Sequence, residues 1–279
     1  MRRIILLLAV LLAPFRPWAA VSPDALLKEA QAAARTNLQT SLRLCDEAVR
    51  ANPTNAQARS MRARVLDRLG REDDAIGELT AALKLEPDNS QFFQARGELN
   101  FRAGHFPESV GDFDRVIQLH PGQAPYHWQR GISLYYAGRF ADGRKQFETH
   151  QTVNPDDVEN ATWHFLCVAR EKGVTNARAT MLPVGPDGRI PMQEINALYR
   201  GTGTVDQVLA AAQAAGGDRA RDALFFAHLY LGLYFDALGE TAKARAQISK
   251  AADDATATHY MGDVARVHAR RLSARNDKR

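Results

Sequence analysis

Apolar positions recur along this chain with a long, regular period, and proline punctuates the recurrence. Pro53, Pro87, Pro121 and Pro155 are each 34 residues apart. About ten residues before the first three stand Leu44 with Cys45, Ile76 with Leu79, and Phe113; five residues before each of the four stand Ala48, Ala82, Val116 and His150. Proline ends a helix and pushes the residue before it toward extended backbone. Proline at constant spacing behind an apolar helical stretch therefore predicts a recurring helix stop, and a period of this length predicts stacked repeats. The apolar spacing of seven that a coiled coil needs is absent.

Glycine keeps step with proline. Gly70, Gly104, Gly138 and Gly239 follow helical stretches, where glycine supplies the tight turn between two antiparallel helices. Gly97, Gly131 and Gly232 stand seven residues before a turn glycine. A residue without a side chain there predicts that the two helices of a pair approach closely. The phrases Gly131-Ile132-Ser133-Leu134-Tyr135-Tyr136-Ala137-Gly138-Arg139-Phe140 and Leu231-Gly232-Leu233-Tyr234-Phe235-Asp236-Ala237-Leu238-Gly239-Glu240 resemble the tetratricopeptide (TPR) family. The resemblance implies an all-α fold: an α-solenoid, a right-handed superhelix of antiparallel helix pairs.

Four units read at about 22–55, 56–89, 90–123 and 124–157, so that residues 21–157 carry the regular array. The first unit lacks the small residue and the turn glycine. Residues 158–217 read as an irregular fifth unit and a helical insertion. Val158 to Lys172 is a first helix; its partner, Ala177 to Leu182, is cut short by Pro183. Helices are expected again near Met192–Arg200 and Val205–Ala215, packed on the solenoid. The last unit covers 218–256. His259 to Ser273 is expected to cap the stack inside the segment 257–279, because a terminal repeat otherwise exposes an apolar face.

The TPR resemblance also implies a binding face, the concave side lined by the first helix of each pair. Carried over to this chain, the groove positions are Gln57, Ser60, Arg64, Asp67 and Arg68; Gln91, Gln94, Glu98, Phe101 and Arg102; Pro125, Trp128, Ile132, Tyr135 and Tyr136; and Glu159, Leu166 and Arg170. Gln57, Arg64, Arg68, Gln94 and Arg102 form a basic, amide-rich end suited to peptide groups and carboxylates. Trp128, Tyr135 and Tyr136 form an aromatic end suited to hot-spot contacts. The expected partner is a protein or peptide segment lying in that groove.

The first twenty residues read differently. Arg2 and Arg3 precede an apolar run from Ile4 to Ala13, and small residues follow at Ala19 and Ala20. That is the pattern of a cleaved secretory signal peptide over 1–20, with Trp18 an imperfect fit to the cleavage site. The run is too short to span a bilayer, so membrane contact is expected only through this segment or an uncleaved anchor. Periplasmic or secreted placement follows. Without Arg2, Arg3 and Arg16 the formal charge falls from +4 to +1, which implies no nucleic acid. The basic cluster Arg266, Arg270, Arg271, Arg275, Lys278 and Arg279 reads as a solvated helix end or as a contact for an acidic surface. Cys45 and Cys167 lie in apolar helical stretches several repeats apart and are expected to be buried free thiols.

At larger scale, an export signal, an interrupted centre and a late Leu-Gly-Leu-Tyr helix resemble bacterial NlpI-type envelope TPR proteins. That resemblance implies a dimeric adaptor that presents cell-wall hydrolases to an envelope protease. The lipid-bearing cysteine of that group is missing, so the chain is not expected to be a lipoprotein.

Motifs of hydrolases, phosphate loops and paired Cys-x-x-Cys are absent. His164 and Cys167 share a helix face, and His127 and His150 belong to the neighbouring unit, which offers zinc-type ligands in principle. His150 holds a core position and Cys167 an apolar one, so buried histidines and no metal or cofactor are expected. The chain reads as a non-catalytic scaffold or adaptor of the cell envelope. A polysaccharide- or peptidoglycan-binding module using the aromatic groove is the alternative, and an enzyme with an unfamiliar site is a third reading.

Overall fold

Helix stops and starts follow the punctuation closely. In the computed structural model, which describes residues 22–254 and 256–275, α2 (Leu38–Ala51), α4 (Glu72–Leu85) and α6 (Phe106–Leu119) each end two residues before a repeat proline. Asn52, Glu86 and His120, the residues before those prolines, leave the helix with φ near −141°, −128° and −135°. Asparagine then reopens the chain: Asn55 caps α3 (Ala56–Arg68) and Asn89 caps α5 (Ser90–Ala103) with side-chain oxygens on orphan backbone N–H groups. Each first helix pairs with the second helix of its unit across a turn. In the first unit α1 (Pro23–Ala33) packs on α2; Ala34, Arg35 and Thr36 make the turn where glycine is missing, and the Asn37 side chain caps α2.

The turn glycines need their freedom: Gly70, Gly104, Gly138 and Gly239 all hold φ between +73° and +86°. The close-approach glycines need theirs for space. A Cβ on Gly97 would stand 2.7 Å from the Phe113 ring, one on Gly131 2.6 Å from Phe147, and one on Gly232 2.3 Å from Ile248. A repeat-spaced polar series accompanies this packing. Arg62, Arg96 and Arg130 reach from the first helix to a residue sixteen positions on: Glu78 at 3.4 Å, Asp112 at 2.6 Å and Gln146 at 3.0 Å. Each half-buried guanidinium ties the two helices of its unit together.

The fourth unit is shortened at its start. Residues Pro121–Tyr126 form a 3-10 segment, α7 (Trp128–Tyr136) begins late, and α8 (Phe140–His150) packs against it. Buried α9 (Val158–Lys172) follows, and its partner α10 spans Val174–Ala179 rather than Ala177 to Leu182. Gly173 starts that helix earlier than expected, and it ends before Pro183. The inserted α11 (Met192–Arg200) and α12 (Val205–Ala214) pack onto α9 and onto α13 (Gly217–Ala237), which pairs with α14 (Thr241–Ala252). The last helix, α15 (Tyr260–Ala274), packs on α14 and also touches α5, far away in sequence. Among the described residues there is no strand, and no helix is long and apolar enough to cross a membrane. The signal segment 1–20, Lys278 and Arg279 lie outside the described residues.

Candidate concave binding site

Along α3 and α5 the groove residues recur every three or four positions, which places them on one helix face. Gln57, Ser60, Arg64 and Asp67 face Gln91, Glu98 and Arg102 across a recess of about 320 Å³. Its apolar lining is Ala63, Leu79, Phe92, Ala95 and Leu99. A second, wider recess of about 580 Å³ shares Gln91, Ala95 and Glu98 with the first and adds Gln94, His120, Gln123 and Tyr126. The two form one continuous open stretch of the concave side.

The charge of this stretch is more balanced than a basic end. Arg102 is the hub: it pairs with Asp67, with Glu72 at 3.7 Å and with Asp263 of α15 at 3.6 Å. Burial works against its charge, yet Asp67, Asp263 and Glu72 together hold the guanidinium protonated beyond its usual range. Burial pushes the Glu98 carboxyl up, partly offset by the hydrogen bond that Gln94 donates at 2.7 Å. Arg64 is exposed, with Met61 Sδ at 3.4 Å. Arg68 leaves the groove: its guanidinium donates to the Ala34 carbonyl in the turn of the first unit.

The aromatic end is a correction. Tyr135 and Tyr136 are 1% and 4% exposed and line no open groove. The chain's own C-terminal elements occupy that side. Tyr260, on α15, stacks on Phe101 at 5.1 Å and meets Trp128 edge-on at 5.1 Å. Tyr136 Oη lies 2.9 Å from His268 Nδ1, and Arg271 sits over the Tyr136 ring. Arg170 donates to Tyr135 Oη at 3.2 Å and pairs with Asp236 of α13. Leu166 is fully buried. Of the three aromatics only Trp128 keeps partial exposure. Tyr126, which the groove positions passed over, is 57% exposed.

Among the described residues, the C-terminal arginines Arg266 and Arg275 are part-exposed and Arg270 is exposed, but each makes a contact within the chain. Arg266 pairs with Asp263 at 2.7 Å, Arg270 donates to the Arg102 carbonyl, and Arg275 pairs with Asp236 at 2.7 Å. Burial opposes the charge on Asp236, but His268, Arg170 and Arg275 hold it well below the usual carboxylate range.

The histidines stay apart. His150 shares its Nδ1 with the Pro125 carbonyl at 2.8 Å and lies 3.8 Å from Asp157, while His164 lies 3.5 Å from Glu148. Burial pushes His127 down to about 4. Among the described residues no group of three or more His, Cys, Asp or Glu side chains is placed to hold a metal ion. Cys45 and Cys167 are both buried and free; burial pushes the Cys45 thiol up to about 11 and Cys167 further.

Antiparallel helix pairs stacked in repeats, with first helices turned to a shared concave side, define the α-solenoid class. The comparisons narrow it. Residues 60–124 match a tetratricopeptide repeat model, and residues 18–80 match a model of alkyl sulfatase dimerisation. A tetratricopeptide repeat protein from Parabacteroides merdae superposes with a TM-score of 0.55 at 15% identity, covering 88% of this chain and 98% of that one. YrrB, described as a TPR protein with an unusual peptide-binding site, gives 0.51 at 15% identity over 63% of this chain and 86% of that one. MamA from Desulfovibrio magneticus gives 0.51 at 14% identity over 56% of this chain and 89% of that one. Comparison with curated proteins finds no match. Residues 60–124 carry tetratricopeptide repeats, and the fold is the all-α solenoid of TPR proteins.

Proposed function

We propose that this chain is a non-catalytic adaptor whose concave side binds a polypeptide at the second and third units. The open stretch over α3 and α5 carries this reading. There Gln57, Ser60, Arg64, Gln91 and Gln94 present amide, hydroxyl and guanidinium groups over an apolar floor. Such a surface meets an extended or helical peptide's backbone groups and a few of its apolar side chains at once. Tyr126 adds a rigid aromatic contact at its edge. Peptide binding in the solved relative YrrB supports the same reading. Export to the periplasm or outside the cell, homodimerisation, and a role in presenting cell-wall enzymes or protease substrates are part of the proposal. They rest on the N-terminal sequence pattern and on the likeness to NlpI-type envelope proteins. Burial of Tyr135 and Tyr136 leaves Trp128 alone of the three groove aromatics to stack on a sugar, which weighs against a polysaccharide-binding module.

The test is site-specific crosslinking in the native cell. A photoreactive residue replacing Gln57 or Gln91 is expected to trap a discrete polypeptide. The same residue replacing Glu108 or Lys145, away from the recess, is expected to trap none. Equal labelling from all four positions refutes the concave site.

A further inference from the structure

The far end of the concave side is not filled solid. Between α7, α8, α9, the insertion and the start of α15 lies a half-open cavity of about 400 Å³. Trp128, Trp163, Phe147 and Tyr260 supply its aromatic walls. Asp157 and Glu159, in the loop and first turn of α9, supply its acidic side. Arg189 crosses from the insertion and spreads its guanidinium over three carboxylates: Asp157 at 2.7 Å, Glu159 at 2.8 Å and Asp187 at 2.6 Å. Three carboxylates thus face one guanidinium, which leaves two negative charges unbalanced, or one when His150 beside Asp157 is protonated. Burial pushes the Glu159 carboxyl up, offset in part by Arg189 and by the Tyr230 hydroxyl at 2.7 Å.

The wall also holds unmet polar groups. Asn160 is 3% exposed; its amide donates to the Phe147 carbonyl at 3.1 Å and to Gln151 at 3.0 Å, and Oδ1 has no partner. Trp163 is 2% exposed and its Nε1–H has no partner. Buried polar atoms are nearly always paired; the bare Asn160 Oδ1 is an acceptor, the kind of atom the N–H groups of a basic side chain meet, whereas the Trp163 Nε1–H is a donor that such a side chain cannot satisfy. Indole and phenol faces attract a cation, and more so where water is scarce.

We propose that this cavity takes a basic side chain, arginine or lysine, of the bound polypeptide, its stem against Trp128 and Tyr260 and its charge against Asp157 and Glu159. Arg189 already shows, within the molecule, that these carboxylates accept a guanidinium. The proposal rests on the reading that the concave side binds a polypeptide.

Small probes test the cavity apart from any partner. The full chain is titrated with N-acetyl-arginine methylamide and with the neutral isostere N-acetyl-citrulline methylamide, following the fluorescence of Trp128 and Trp163. The arginine amide is expected to saturate and to bind roughly tenfold tighter than the citrulline amide. E159Q is expected to weaken it. R189M, at a half-exposed loop position, is expected to tighten it, because the chain's own guanidinium no longer competes. Circular dichroism verifies that both variants keep their helices. Equal binding of the two amides, no saturable binding of either, tighter binding of N-acetylglucosamine, or weaker arginine binding by R189M each overturns the proposal. If the probes fail while crosslinking at Gln57 succeeds, the cavity reading falls and the adaptor reading stands; the converse isolates a failure of the adaptor reading.

Discussion

Replacing Gly131 with alanine tests the close packing of the repeat directly. The added Cβ would stand 2.6, 2.8 and 3.1 Å from three atoms of the Phe147 ring. Ordinary carbon contacts lie near 3.5–4.0 Å, so the ring must recede by about 1 Å. Phe147 is 1% exposed and packs on Trp163 with ring centroids 6.4 Å apart, so it can recede only by disturbing that contact. Overpacking of this kind costs about 1–3 kcal/mol. Alanine returns about 1 kcal/mol of helix propensity relative to glycine. The net effect is a loss of up to about 2 kcal/mol, which for a chain of this size lowers Tm by up to about 8 °C. Gly77 is the control. It is an exposed glycine inside α4 whose Cβ would meet nothing within 4 Å, so G77A keeps the propensity gain and is expected to raise Tm. Thermal melts followed by circular dichroism at 222 nm separate the two. If G131A melts at or above the parent temperature, as G77A does, the close-approach argument for Gly97, Gly131 and Gly232 is wrong.

Acid is expected to weaken the fold in part through His127. Its folded pKa lies below the ordinary histidine value, so its contribution is complete above about pH 6.5 and is lost as pH falls toward 4. H127Q should therefore lose on the order of 2 kcal/mol less than the parent between pH 7 and 4.5, read from urea midpoints at both pH values; parallel losses contradict the assignment. Asp236 offers a larger effect: D236A strands Arg170, Arg275 and the buried His268, and should cost about 3–5 kcal/mol in urea unfolding. A cost below about 1 kcal/mol would mean that the network contributes little. Y260A should loosen α15 by removing the ring between Phe101 and Trp128. Hydrogen exchange is expected to rise in α15 while α1 to α4 keep their protection, because repeats feel mainly their neighbours; a uniform rise argues against a local clasp.

The local schedule of this molecule was legible in its residues. Pro53, Pro87 and Pro121 stop helices, Gly70, Gly104 and Gly138 turn them, and Gly97 and Gly131 admit Phe113 and Phe147. Each acts through backbone dihedrals or a contact within its own unit. The arginine series Arg62, Arg96 and Arg130 was equally periodic, but it is polar, and an apolar reading of the period passes over it. Arg64 and Gln57 are on the open face, where helix geometry alone puts them.

The fate of the groove was decided elsewhere. Whether Tyr135 and Tyr136 meet solvent depends on where α15 arrives after the curvature of every preceding pair has accumulated, and no short window of sequence contains that sum. The same holds for Arg102, which needs Asp263 from more than 150 residues away, and for Arg189, which finds Asp157 and Glu159 across the insertion. Local sterics write the helices and turns; the non-local return of the chain onto its own concave side determines which of their faces remain free to bind.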